Sequence, residues 1–274
     1  MPAVLVTGAA RGIGRAITAH LATLGWDVVA GVRSAADAAA IGSMPRVTPV
    51  TLDVTDSAHI AALDDGLPER LDAVVNNAGV VVGGPLETIG MADLRRQLEV
   101  NVVGQLAVTQ AVLPRLRRSR GRIVFISSVN GRISVPLLGA YCASKFALEA
   151  AADALRMELR PWHIDVSVVE PAQTATDMWE TAPQTADDLE AAMSAEQRVL
   201  YAKHVAGFRK MIPLSQRLAA QPHTVAEVVE EALTAKRPSA RYATGLAQSV
   251  QMAVMTNVPP FVSDVLVRRL FGQP

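Results

Sequence analysis

The chain has 274 residues, half of them apolar, with 26 basic and 26 acidic side chains. That balance supplies no net field for nucleic acid or an anionic membrane, which leaves a neutral small molecule or a peptide as the expected partner. Its single cysteine, Cys142, forbids an internal disulfide, and no Cys/His cluster stands at metal-ligand spacing, so a cytoplasmic protein without a metal centre is expected.

The first residues enter an apolar run, Val4 to Val6, with no basic leader ahead of it. The run ends in Thr7-Gly8-Ala9-Ala10-Arg11-Gly12-Ile13-Gly14, after which Ala16, Ile17, His20, Leu21 and Leu24 recur at helical spacing up to Gly25. Strand, glycine turn and helix follow. Such glycines let a backbone approach a diphosphate, to which the helix N-terminus presents unpaired N–H groups. A plain tight turn is the competing reading, because the spacing differs from GxGxxG. Asp27 to Val32 lies at the right distance to be the next parallel strand. It ends in Arg33 and not in an acid, and an arginine there favours a ribose 2′-phosphate over a free hydroxyl. With Arg11 in the glycine turn, this points to NADP(H), with NAD(H) as the alternative; two solvated surface arginines remain the bland account.

The alternation continues with a strand from Val47 to Leu52, a turn at Asp53 to Asp56, a helix from Ser57 to Leu67, and a strand from Ala73 to Val75 closing on Asn76-Asn77-Ala78-Gly79. An amphipathic segment, Met91 to Leu116, precedes a strand from Arg122 to Ile126. Then come Ser127-Ser128, a loop, and Tyr141 with Lys145 four residues on, which places phenol and ammonium one turn apart on one helix face. Lys145 is the only lysine among the first 202 residues of an arginine-rich chain. That helix runs to about Leu159, and a strand from Asp165 to Val169 ends in Glu170-Pro171. Six or seven strands with short connections imply one doubly wound parallel α/β sheet with helices on both faces. The motifs all fall at strand carboxyl ends, where such sheets bind ligands.

The whole chain, residues 1–274, reads as a single domain. Residues 175–221, after the sixth strand, are polar and helical in parts and read as a substrate lid. Thr224 to Ala235 is an amphipathic helix, Arg241 to Thr244 a short strand, and residues 246–274 an apolar C-terminal tail expected to pack on protein and not on a membrane. No apolar run is long enough to span a bilayer.

Thr7-Gly8-x3-Gly12-x-Gly14, Asn76-Asn77-Ala78-Gly79, Asn101, Ser128 and Tyr141-x3-Lys145 together resemble the short-chain dehydrogenase/reductase family in its single-domain form, over Val4 to about Thr176. Gly131 to Lys145 and Glu170-Pro171 look most like its retinol, hydroxysteroid and 3-hydroxybutyrate dehydrogenase branch. The resemblance implies a catalytic set of Asn101, Ser128, Tyr141 and Lys145. It also implies a cofactor site of Gly8, Arg11, Gly12, Ile13, Gly14, Arg33, Asp53, Val54, Asn77, Ala78, Gly79, Tyr141, Lys145, Pro171, Thr174 and Thr176. One departure is Pro171-Ala172, where the family usually has Pro-Gly; a methyl there would crowd a close backbone approach.

By the same resemblance Tyr141 is the general acid or base, Ser128 donates to the substrate oxygen, Asn101 holds a relay water, and the helices 91–116 and 141–159 build a homodimer or homotetramer. A phenol near 10 must fall by about 3 pH units, roughly 4 kcal/mol, to act near neutrality. One cation supplies about 1 to 3, so Lys145 is at its limit and an oxidised nicotinamide is expected to add to it. The activity implied is hydride transfer between a nicotinamide and a carbonyl or alcohol of a largely apolar small molecule. The apolar preference rests on Ile133 to Leu138 and on Met178, Trp179, Met193 and Phe208. Epimerase-type chemistry, or a catalytically silent nucleotide-binding scaffold, are the rivals.

Overall fold

The computed structural model describes residues 1–175, 182–245, 254–270 and 273. Seven strands among these form one parallel sheet: β1 (Ala3–Thr7), β2 (Asp27–Val32), β3 (Val47–Thr51), β4 (Ala73–Asn76), β5 (Arg122–Ile126), β6 (Asp165–Glu170) and β7 (Arg241–Ala243), in the order β3-β2-β1-β4-β5-β6-β7. Most are continuous apolar runs because both sheet faces are covered. Successive residues feed opposite cores: Val4 and Val6 join one cluster, Ala3 and Leu5 the other.

The first face is covered by α1 (Gly12–Thr23), α2 (Ala35–Ile41) and α10 (Pro222–Thr234), through Ile17, Leu21, Ile41, Val225 and Val229. The second is covered by α4 (Leu63–Gly66), α6 (Gln105–Ser119) and α7 (Gly139–Glu158), through Leu63, Val108, Val112, Leu116 and Leu148. The order of strands reverses between β1 and β4, so a crevice opens where the turns after Thr7 and Asn76 diverge. The helix expected over Ser57 to Leu67 is instead two pieces, α3 (Ser57–Ala61) and α4, and Asp56 caps the first by accepting from Ala58 and His59 amides. The amphipathic segment is likewise interrupted: α5 (Met91–Leu98) passes into a π-helical turn (Glu99–Gly104) before α6. Gly104 belongs to that turn, and a Cβ on it would stand 2.6 Å from the Val54 carbonyl oxygen, so glycine permits the close approach.

Residues 175–221 contain α8 (Ala182–Ala192) and α9 (Ala195–Leu218), the latter opened by a reciprocal Ser194–Gln197 capping box. The tail contains α11 (Pro260–Leu270). Among the described residues no helix is long and apolar enough to cross a membrane.

Candidate active site

The glycine turn is tied to its neighbours by backbone. The Ala9 amide donates to the Gly31 carbonyl at 3.1 Å, while Asn77 Nδ2 donates to the carbonyls of Thr7 and Gly8 at 3.0 and 3.1 Å. Thr7 Oγ1 accepts from the amides of Asn77 and Ala78, both at 3.0 Å. Gly8 and Gly12 are left-handed, with φ of 64° and 53°. At Gly14 a Cβ would lie 2.2 Å from the Gly8 carbonyl oxygen, so this turn accepts no side chain there. The N-terminus of α1 has no side-chain cap, and its first amides face the crevice end of the sheet. Arg11 lies in this turn and Arg33 just beyond β2; among the described residues neither guanidinium makes an ion pair. Asp53 turns inward on its own loop, accepting from Thr55 N at 2.9 Å and Thr55 Oγ1 at 2.7 Å, and these bonds hold its carboxyl below the usual range. Val54 is buried in the core.

The stretch after β4 is fixed by a row of amide side chains that the sequence reading noted only at Asn101. Gln105 Nε2 donates to the Ala78 carbonyl at 2.6 Å. Asn101 donates to the Val80 carbonyl and accepts from the Val80 amide, and its Nδ2 also reaches Ser144 Oγ at 3.0 Å. Gln97 donates to the same carbonyl and accepts from Val82 N, both at 2.6 Å. The clue was present: Gln97, Asn101 and Gln105 recur every four residues on a helix whose other repeat is apolar, and all three are fully buried.

Ser128 follows β5 and accepts from the Asn130 amide at 3.1 Å, turning the chain into a 3₁₀ turn (Val129–Gly131). Tyr141 and Lys145 lie on the first turns of α7, with Nζ 5.8 Å from the centre of the phenol ring. Lys145 is buried and donates to the Ile126 carbonyl at 2.8 Å. Burial pushes the Tyr141 phenol up to about 12, against a hydrogen bond to Ser128 that pulls it down. Burial also presses Lys145 down to about 8. Tyr141 is half-buried and Lys145 buried, and removal from water drives each toward its neutral form.

At the end of β6 the Pro171 carbonyl accepts from Val129 N at 3.0 Å, binding this corner to the serine turn. Ala172 is not left-handed, so its methyl carries no backbone strain. Thr174 forms a parallel bridge to Ala220, made by Ala220 N to Gln173 O and Ala175 N to Ala220 O, which leaves Thr174's own amide and carbonyl directed to the opposite side. Thr176, Met178 and Trp179 lie outside the described residues. Phe208 and Ile212 of α9 and Ala186 of α8 pack on Leu137, in the loop between Ser128 and Tyr141, while Met193 is simply buried.

A doubly wound sheet with a glycine turn at its switch point and Ser, Tyr and Lys beyond β5 defines a nucleotide-crevice enzyme architecture. The short chain dehydrogenase model matches residues 2–187, and the chain belongs to the short-chain dehydrogenase/reductase family. It is 35% identical over 250 residues to the 3-amino-tetrahydro-pyrrolizinone reductase of Xenorhabdus hominickii, covering 88% of this chain and 86% of that protein. It is 32% identical over 287 residues to retinol dehydrogenase 5 of Mus musculus, covering 99% and 89%. A Burkholderia cenocepacia short chain dehydrogenase solved with NADP superposes with a TM-score of 0.75 at 25% identity, covering 98% and 97%. A Burkholderia phymatum relative solved with NAD gives 0.77 at 25% identity, covering 93% and 92%.

Proposed function

We propose that this oxidoreductase interconverts a ketone or aldehyde and an alcohol on a largely apolar small molecule, with NADP(H) preferred over NAD(H). The observation that carries the reading is the Ser128–Tyr141–Lys145 corner, which lies beyond the same sheet edge as a glycine turn that tolerates no side chain at Gly14. The cradle fits a dinucleotide: Gly8, Gly12, Ile13, Gly14 and the amides of α1 for the diphosphate, Asp53 and Val54 beside the adenine side, and Asn77 to Gly79 along the crevice floor. Pro171, Thr174 and Thr176 would border the nicotinamide end, where the free backbone of Thr174 suits a carboxamide. When bound, a nicotinamide supplies the hydride.

The chain's own groups handle the proton. Tyr141 carries it to or from the substrate oxygen, and Ser128 donates a hydrogen bond to that oxygen, a contribution of about 3 kcal/mol for one well-aimed donor. Lys145 provides positive charge beneath the phenol, and Asn101 fixes the loop next to it. Arg11 in the glycine turn and Arg33 beyond β2 support a 2′-phosphate. Residues 175–221 act as a lid over the site, with α8 and α9 seated on Leu137. The exposed apolar side chains of Val103 and Phe146, on the π turn and α7, suit a homodimer or homotetramer built on those helices.

A steady-state screen of ketones, aldehydes and alcohols, with both nucleotide pairs in parallel, tests the reading. Turnover of apolar carbonyls with at least tenfold preference for the phosphorylated pair is expected. Tyr141→Phe should abolish it with nucleotide binding intact; retained turnover in that variant sinks the proton-transfer role.

A further inference from the structure

Behind Lys145, one turn further along α7, lies a second buried charge. Glu149 is 4% exposed, as is Lys145, and Glu170 at the end of β6 is 5% exposed. Carboxylates this deep are costly unless paired. Arg241, at the start of β7, provides the pairing. Its Nε donates to Glu149 Oε2 at 3.0 Å and stands 3.4 Å from Glu170 Oε1, while its terminal nitrogens grip Asp153 at 2.7 and 3.1 Å. Arg132 reaches Glu170 Oε1 at 3.3 Å. One guanidinium nitrogen thus serves two carboxylates, and among the described residues the buried Glu149 Oε1 and Ser127 Oγ have no partner but each other. These two atoms converge on Gly131: a Cβ there would lie 2.7 Å from Ser127 Oγ and 3.2 Å from Glu149 Oε1. The cluster adjoins the catalytic candidates in the chain, Ser127 preceding Ser128 and Glu149 lying one helical turn beyond Lys145.

We propose that Glu149, held by Arg241 and Ser127, is a positioning residue that keeps Lys145 charged beside Tyr141; the proposal rests on the acid–base reading of that pair. Burial drives Lys145 toward the neutral amine, and the charge of Glu149 opposes it. Glu149 is in turn pushed up by burial, pulled down by neighbouring Ser127, raised by Glu170 and lowered by Arg241. Among the elements packed on α7 the other buried acid is Glu170, which stands against Arg132 and Arg241. The π turn presents neutral Asn101, the end of β5 presents Ser127 and Ser128, the turn after it Arg132, and β6 presents Glu170. Asp93, Arg95, Arg96, Glu99 and Arg160 on the remaining neighbours are exposed, and Arg156 is spent on Asp153.

The test reads Lys145 without a substrate. The chain has four lysines, at 145, 203, 210 and 236, so a sample labelled with ¹³Cε-lysine gives few side-chain signals, and Lys145→Arg assigns the one of interest. A midpoint near 8 is expected for the wild type. In Glu149→Gln it should fall by about one pH unit or more, the effect of removing one nearby opposite charge. Ser127→Ala should move it the same way by less, and Glu149→Asp should largely restore it. In turnover, the alkaline limb of carbonyl reduction should move down with the midpoint, whereas a merely structural role would lower the rate without moving the limb. An unchanged midpoint in Glu149→Gln, or in Ser127→Ala should the first variant not fold, overturns the proposal. A wild type that turns over no carbonyl or alcohol would instead defeat the oxidoreductase reading, with the lysine titration still deciding the role of Glu149.

Discussion

Asn101 closes both ends of its amide on the backbone of Val80, accepting from the amide at 2.8 Å and donating to the carbonyl at 3.0 Å. The residue is fully buried within the π-helical turn, so the stretch after β4 is gripped by a side chain and not by a strand neighbour. Wider turns of this kind recur at functional sites, and this one aims Asn101 at both Val80 and Ser144 of α7.

Asn101→Ala is therefore expected to cost about 1 to 3 kcal/mol, because the Val80 amide loses its acceptor in a part-buried place while the Val80 carbonyl keeps its bond from Gln97. Urea denaturation should show a lower midpoint with an unchanged slope. Turnover should fall by more than stability alone explains, since the loop from Ala78 to Val82 borders the crevice.

The cofactor reading predicts an asymmetric result at β2. Arg33→Asp replaces the cation beyond β2 with the acid that suits a free 2′-hydroxyl, and a charge-assisted bond to a phosphate is worth about 1.5 to 3 kcal/mol. The ratio of kcat/KM for NADPH over NADH should drop about 10- to 100-fold, with Arg11→Ala producing a smaller fall. A ratio that stays put in both variants would return these arginines to plain surface charge.

How far the sequence reached depends on the physics each element uses. β2 and β5 were legible to the residue, because buried parallel strands are unbroken apolar runs with turns at their ends. α2 was passed over: Ala35–Ile41 is mostly alanine, buries Ile41 alone, and offers no apolar period to detect. The π turn was invisible because one extra residue per turn scarcely disturbs an amphipathic pattern. Ser128, Tyr141 and Lys145 could be found since they follow one another locally. Glu149 and Arg241 could not, being 92 positions apart and joined only when β7 docks on the sheet.

Burial of Lys145 gives stability a definite pH dependence. Its pKa is near 8 in the fold and 10.5 unperturbed, so between those values the unfolded chain binds more protons and stability rises with pH. Below about 8 the full burial cost is present, up to roughly 3 kcal/mol. Tyr141 works in the other sense: its phenol is raised from 10.0 to about 12, so its contribution is intact below 10 and is lost as pH climbs from there toward 12. Lys145→Met should thus be inactive yet more stable than the wild type at pH 7, by about 1 to 3 kcal/mol once the lost bond to Ile126 is deducted. The gap should close between pH 8 and 10. Denaturation curves at pH 7, 8.5 and 10 check the sign, and a gap that widens with pH contradicts the assignment.

Leu137 offers the sharpest test of the lid. It is left-handed, with φ of 66°, although a leucine pays about 1 kcal/mol for that conformation. Two contacts hold it there: its carbonyl accepts from Gly84 N at 2.7 Å, and its side chain packs among Ala186, Phe208 and Ile212. The same residue therefore joins the strand-β4 loop, the loop leading to Tyr141, and the helices α8 and α9. Leu137→Gly frees the backbone but empties the side-chain site, and since a buried leucine is worth about 2 to 5 kcal/mol the balance should be a loss of about 2. Leu137→Asn separates the two effects, because asparagine accepts a left-handed backbone while withdrawing the apolar contact. If α8 and α9 close over the substrate from this seat, both variants should raise KM for the carbonyl about tenfold or more and leave nucleotide binding within about twofold, as a contact worth 1.4 kcal/mol or more would require. Equal loss of nucleotide and substrate binding would show instead that Leu137 serves the fold of the whole crevice, and an unchanged KM would remove these helices from the substrate's path.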